Sequence, residues 1–242
     1  MNRKTFITKS IGLLGLNAWS KSLFQEKYSA TQLLGQESIS LYSKEIPLIK
    51  PVGIAFEKMR KEALKDSIEL EIISGYRSYD QQKRIWNRKF LANKNAGLNP
   101  EENIKKIIEY STLPGTSRHH WGTDIDLIDG AQPREGDVLL AEKFHQNGPY
   151  DNMRKWMDQN AENFGFVRPY SNNISRKGFY YEPWHFSYAP IAILMLKAYS
   201  ALDLKKVLVT DSLEGSALLS RCFLMNYFTE NVLGIAKELK AF

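Results

Sequence analysis

The stretch Ser117-Arg118-His119-His120-Trp121-Gly122-Thr123-Asp124-Ile125-Asp126 sets two adjacent histidines a few residues ahead of two alternating aspartates. Continued through Leu127 and Ile128, its second half reads as a short strand, Asp124–Ile128, with Asp124 and Asp126 on one face. The first half reads as a loop leading into that strand. The chain has only 4 histidines. Three of them fall here or in Glu182-Pro183-Trp184-His185. Histidine and carboxylate are the ligands of a catalytic zinc, which takes three protein groups and leaves a fourth position to water. A loop histidine, a strand aspartate seven residues later and a distant histidine would make such a site. Glu182 would then be the free carboxylate that accepts a proton from water. Taken singly, each residue has an ordinary structural role, since a lone histidine is most often a satisfied polar group. The information lies in the combination.

Working outward, Pro51 to Leu64 reads as a helix, with Val52, Phe56, Met59 and Ala63 at helical spacing. Ile68 to Ile73 alternates as a strand and stops at Ser74-Gly75. Tyr79 to Leu91 returns to helical character. Between them lies Tyr76-Arg77-Ser78, where an arginine after a tight turn offers a planar donor fork to a carboxylate. Asn99-Pro100-Glu101-Glu102 is a helix start: a cap, a proline at the first position, then acids near the positive end. Asp151 is read as the cap of another helix, closed by Gly165. Phe179 to Tyr188 reads as a strand containing a proline. For Glu182 and His185 to reach one site, that strand must bend at Pro183-Trp184. The segment from Ala189 onward reads as mainly helical, its stripe of Ile191, Leu194, Met195 and Ala198 assigned to packing. Strands separated by helices of unequal length, with no regular βαβ alternation, imply an α+β fold. Its sheet would be small, mainly antiparallel and flanked by helices, with a helical C-terminal extension.

Ser-Gly-Tyr-Arg-Ser at 74–78, Ser-x-His-x-x-Gly-x-x-x-Asp at 117–126 and Glu-Pro-Trp-His at 182–185 occur in this order over roughly Pro51 to Ser187. The ordered set resembles the zinc D-Ala-D-Ala carboxypeptidases of the vancomycin-resistance type, within the lysostaphin, D-Ala-D-Ala peptidase and hedgehog superfamily. The resemblance implies His119, Asp126 and His185 as ligands of one Zn2+ per chain, with Glu182 as general base. It implies Arg77, Gln82 and Ser117 as contacts to the terminal D-alanine of a peptidoglycan stem peptide. Arg77 would hold that residue's carboxylate or the oxyanion beside it. Tyr76 and Trp184 are expected as pocket walls or packing. Where the family commonly has a small residue this chain has Asp124, so Asp124 and Asp126 compete for the ligand role, and His120 competes with His119.

The 242 residues are 43% hydrophobic and 25% charged, which is ordinary globular usage. No run of about 18 uncharged apolar residues is present to span a membrane. One cysteine rules out an internal disulfide and a multi-cysteine metal site. The net charge of +6 permits a polyanionic partner. No basic stripe interleaved with aromatics argues for nucleic acid, and a monomer acting on wall peptide is expected. Arg3, Lys4 and Lys9 precede a short apolar stretch, Ile11 to Trp19, the pattern of an export signal. Three regions are therefore expected: an export signal over 1–25, a zinc peptidase domain over 26–188 and a helical extension over 189–242 packed on the same domain. Export would place the protein in the periplasm or cell envelope. Ser-x-x-Lys, Gly-x-Ser-x-Gly and His-Glu-x-x-His are absent, which removes serine peptidase, α/β-hydrolase and zincin readings. An L,D-carboxypeptidase or a wall endopeptidase could use the same metal site, and a zinc-containing binding module without catalysis is a more distant alternative.

Overall fold

A computed structural model describes residues 27–204, 208 and 211–242. The described residues form one four-stranded sheet, of β1 (Leu70–Ser74), β2 (Asp124–Asp129), β3 (Phe166–Val167) and β4 (His185–Tyr188). The order is β1-β2-β4-β3 and every neighbouring pair is antiparallel. This is the α+β fold with a small antiparallel sheet that the sequence implies. β2 lies between two neighbours and all six of its residues are buried. Its register sets Asp126 opposite Ser74 on one side and His185 on the other. The ladder alone therefore brings three sequence-distant segments to one place.

Helices α1 (Ala30–Leu33), α2 (Lys50–Lys65), α3 (Tyr79–Asn95) and α4 (Pro100–Ile107) precede β2. After it come α5 (Asp151–Asn160), α6 (Ala189–Ser200) and α7 (Arg221–Tyr227). Ser78 and Gln81 make a reciprocal capping box at the start of α3, and Asn99 and Glu102 make another on α4. α3 runs four residues beyond the expected Leu91, because Ala92 to Asn95 contain no helix breaker.

Two expectations are corrected. Asp151 is the first helical residue rather than the cap, a position held by Tyr150. The Asp151 carboxylate instead accepts the backbone N–H of Asn147 and pairs with Arg154 and Lys155. The strand expected over 179–188 begins only at His185. Pro183 has no N–H to give a ladder, and a turn closes there, with the His185 N–H donating to the Glu182 carbonyl at 3.2 Å. That turn is the bend the Glu182–His185 spacing requires.

Ile125, Leu127 and Phe166 from the sheet pack with Val52, Phe56 and Met59 of α2 and with Met153 and Met157 of α5. A second cluster joins Trp86 and Phe90 of α3 to Met195, Leu196 and Tyr199 of α6, and on to Tyr227, Val232 and Leu239. The segment after Tyr188 thus shares a core with α3 and α4. The expected export signal over 1–25 lies outside the described residues. No helix among the described residues is long and apolar enough to cross a membrane.

Candidate metal and peptidase site

Gly122 ends the helical turn Arg118–Trp121 at φ 66°, where a side chain would also crowd Ile39 and Ile49. The turn hands the chain into β2 with His119 beside Asp126. His119 Nε2 is 3.3 Å from Asp126 Oδ2, and His185 Nδ1 is 3.5 Å from Asp126 Oδ1. One ligand atom from each of His119, Asp126 and His185 lies within 4.8 Å of the others, and all three residues are buried.

The surroundings fix these donors. His119 Nδ1 lies 2.8 Å from the Gly75 carbonyl. A carbonyl only accepts, so Nδ1 is the donor there and Nε2 is the nitrogen turned towards the cluster. His185 Nε2 is 3.0 Å from Asp124 Oδ2, which directs Nδ1 inward. Asp124 is fully committed: Arg118 Nε donates to it at 2.8 Å, and Thr123 and Ser187 each donate at 2.8 Å. Asp126 Oδ1 is buried with no hydrogen-bond partner. Such an atom is costly unless a cation or water completes it. The geometry therefore separates the two aspartates, with Asp126 in the cluster and Asp124 behind His185. His120 is separated from His119 in the same way. Its Nδ1 meets the Arg77 carbonyl at 2.6 Å and its Nε2 accepts the Gly115 N–H at 3.0 Å. Burial pushes its pKa down to about 3, leaving a neutral ring that ties two loops together.

Asp124, Asp126 and Glu182 bring three buried carboxylates together. Burial opposes ionisation of Asp124, yet Arg118 and His185 outweigh it and hold its carboxyl well below the usual range. Burial likewise opposes a charged His185, but Asp126, Asp124 and Glu182 overcome it and push the ring up to about 10. Two imidazoles and one carboxylate suit a divalent ion with mixed nitrogen and oxygen ligands.

Glu182 Oε2 is 2.8 Å from His185 Nδ1, and burial raises the Glu182 pKa. These groups line a cavity of about 380 Å³, walled in part by Arg77, Ser117, Tyr110, Tyr170 and Trp184. Arg77 NH2 is 3.9 Å from Asp126 Oδ2. Its guanidinium is held by Ser74 Oγ and Gln82 Oε1, each at 2.7 Å.

Ser117 and Trp184 therefore face the cavity as expected, while Gln82 and Tyr76 do not. Gln82 is fully buried, its amide spent on Arg77 and on the Thr112 carbonyl at 2.8 Å. Its amide oxygen holds the Arg77 guanidinium. The Tyr76 hydroxyl donates to the Glu37 carbonyl at 3.1 Å, outside the cavity. The sequence reading missed Arg118, which anchors Asp124 and keeps a buried, unpartnered NH1 beside the cavity. It also missed Lys89, which lines the cavity. Helical spacing offered a signal for the lysine, since residues 82, 85 and 89 share one face of α3.

The family model described as VanY, D-alanyl-D-alanine carboxypeptidase, matches residues 46–191. The D-alanyl-D-alanine carboxypeptidase of Enterococcus faecalis is 27% identical over 150 residues, 62% of this chain and 51% of that protein. The chain spans about half the length of the curated relatives it matches. The structure of VanYB in complex with D-alanine-D-alanine superposes with a TM-score of 0.52 at 22% identity, covering 73% of this chain and 91% of that one. A VanY D,D-pentapeptidase mutant in complex with Zn(II) gives 0.51 at 22% identity, covering 71% and 89%. These two likenesses bear on the fold.

Proposed function

This chain belongs to the VanY family of D-alanyl-D-alanine carboxypeptidases, and from that membership we propose that it is a zinc-dependent enzyme removing the C-terminal D-alanine of peptidoglycan stem peptides. The observation that carries this reading is the placing of Glu182, buried beside the His119–Asp126–His185 cluster in one cavity. A binding-only site has no need of a second carboxylate whose pKa is raised by burial.

His119 Nε2, Asp126 and His185 Nδ1 would hold one zinc ion per chain. Zinc there supplies Lewis acidity, polarising a carbonyl oxygen and making water acidic near neutral pH. The chain's own groups do the rest. Glu182 accepts the proton of the attacking water on its carboxylate and delivers it to the leaving nitrogen. Arg77, held by Ser74 and Gln82, meets the negative charge at the C-terminal end of the peptide, carboxylate or developing oxyanion. Ser117 lines the same cavity and is available to the same anion. Trp184, Tyr110 and Tyr170 form apolar walls that limit water beside the reacting bond.

Such peptides lie outside the cytoplasm, so an exported protein of the cell envelope is part of this reading, consistent with the basic, then apolar, first residues. The test is mass spectrometry of zinc-loaded protein incubated with stem pentapeptide and stem tetrapeptide. Loss of one alanine from the pentapeptide is expected. Loss from the tetrapeptide alone would make it an L,D-carboxypeptidase. An internal cut would make it an endopeptidase, and no change in either would leave a binding module.

A further inference from the structure

Lys89 lies on the face of α3 that also carries Gln82 and Ile85, and it lines the cavity beside Arg77. Among the described residues no carboxylate comes within ion-pairing distance of its ammonium, and no hydrogen bond to it is formed. Burial lowers its pKa, and Glu182 and Asp137 act on it only through space. A half-buried ammonium on the cavity wall with no contact partner in the protein is placed to meet an anionic group of a ligand there.

The helix gives the distance. Gln82, which clamps Arg77, and Lys89 are seven residues apart, a rise of about 10 Å. An extended peptide covers roughly 3.3 Å per residue. With the C-terminal end of a peptide at Arg77, its third residue from the end therefore falls near Lys89.

We propose that Lys89 is a specificity-determining residue, whose ammonium pairs with a side-chain carboxylate on the residue preceding the D-Ala-D-Ala pair. This rests on the carboxypeptidase reading and names the class of peptide it would take: one with an acidic third residue from the C-terminus. A neutral or basic residue there would leave the lysine unpaired or repelled.

The test is D-alanine release from acetyl-Glu-D-Ala-D-Ala, acetyl-Gln-D-Ala-D-Ala and acetyl-Lys-D-Ala-D-Ala, read as ratios of kcat/KM within one zinc-loaded protein. Ratios cancel differences in active fraction. The unsubstituted protein should favour the Glu peptide over the Gln peptide by about tenfold, the worth of one charge-assisted hydrogen bond. Lys89→Met should bring that ratio to near one, and Lys89→Glu should favour the Lys peptide. Equal rates for the Glu and Gln peptides in the unsubstituted protein would overturn the proposal, as would an unaltered ratio in Lys89→Met. If no peptide loses alanine, the carboxypeptidase reading fails and takes this proposal with it; alanine released without preference overturns this proposal alone.

Discussion

His185 Nε2 stands 3.0 Å from Asp124 Oδ2, and that contact turns the ring so that Nδ1 faces Glu182 and Asp126. Two aspartates on one face of β2 thereby differ in their surroundings. Asp126 carries an oxygen with no hydrogen-bond partner, and Asp124 orients the His185 ring while accepting from Arg118 Nε.

The two should respond differently to substitution. Asp124→Asn keeps the shape but weakens the hold on His185, and roughly 10- to 100-fold of metal affinity should be lost. Asp126→Ala removes a ligand and should abolish stable binding. A zinc competition titration of both variants measures this. Near-normal affinity in Asp126→Ala would remove it from the ligand set.

Arg77 is held in a fixed fork by Ser74 and Gln82. Arg77→Lys cannot reproduce the paired N–H groups and should cut kcat/KM by a factor of about 100. A C-terminally amidated peptide should be a poor substrate for the unsubstituted protein. Equal turnover of free and amidated peptides would argue for an endopeptidase. Gln82→Leu tests the positioning role: KM should rise more than kcat falls, because Arg77 is loosened and not removed.

The loop that carries Ser117 is tied to the C-terminal segment. Tyr227 accepts the Leu113 N–H at 3.0 Å and lies 3.0 Å from Thr116 Oγ1, while the Tyr199 hydroxyl donates to the Gly115 carbonyl at 2.7 Å. Tyr227→Phe strands a buried N–H and should cost about 1–3 kcal/mol. For a chain of this size that is roughly 2–10 °C in Tm, checked by calorimetry. No shift would mean that the loop holds its shape without this segment.

Side-chain pairing with Arg154 and Lys155 holds the Asp151 carboxyl well below its usual range. A depressed folded-state pKa contributes stability that is present above the unfolded value of about 3.9 and lost as pH falls through the folded one. Asp151→Asn should therefore unfold at lower urea than the unsubstituted protein at pH 7, and the gap should narrow below pH 4. A gap independent of pH would assign the loss to packing.

Much of this was legible because the chemistry is local. His119, Asp126, Glu182 and His185 stand in two short segments, and the Asn99 cap is read from four consecutive residues. What stayed hidden depends on partners far along the chain. Alternation puts Asp124 and Asp126 on one face, and only Arg118 and Ser187 show which one is already occupied. The family resemblance implies Gln82 as a substrate contact, and no local pattern shows that its amide bonds Arg77 and the Thr112 carbonyl. The aromatic-rich run Phe179 to Tyr188 suggested one strand, although Tyr180 donates its N–H to the Glu109 carbonyl and only the last residues join the sheet. The bracing by Tyr199 and Tyr227 spans 84 and 114 residues, beyond any local pattern.

The central claim is that Glu182 moves the proton and does not hold the metal. The most direct measurement is zinc content together with turnover of a D-Ala-D-Ala peptide in Glu182→Gln, which keeps size and hydrogen bonding but takes no proton near neutral pH. Unchanged zinc with a rate lower by about a hundred- to ten-thousand-fold is the predicted result. Loss of the zinc would make Glu182 a ligand, and near-normal turnover would assign the proton to another group; either result contradicts the account.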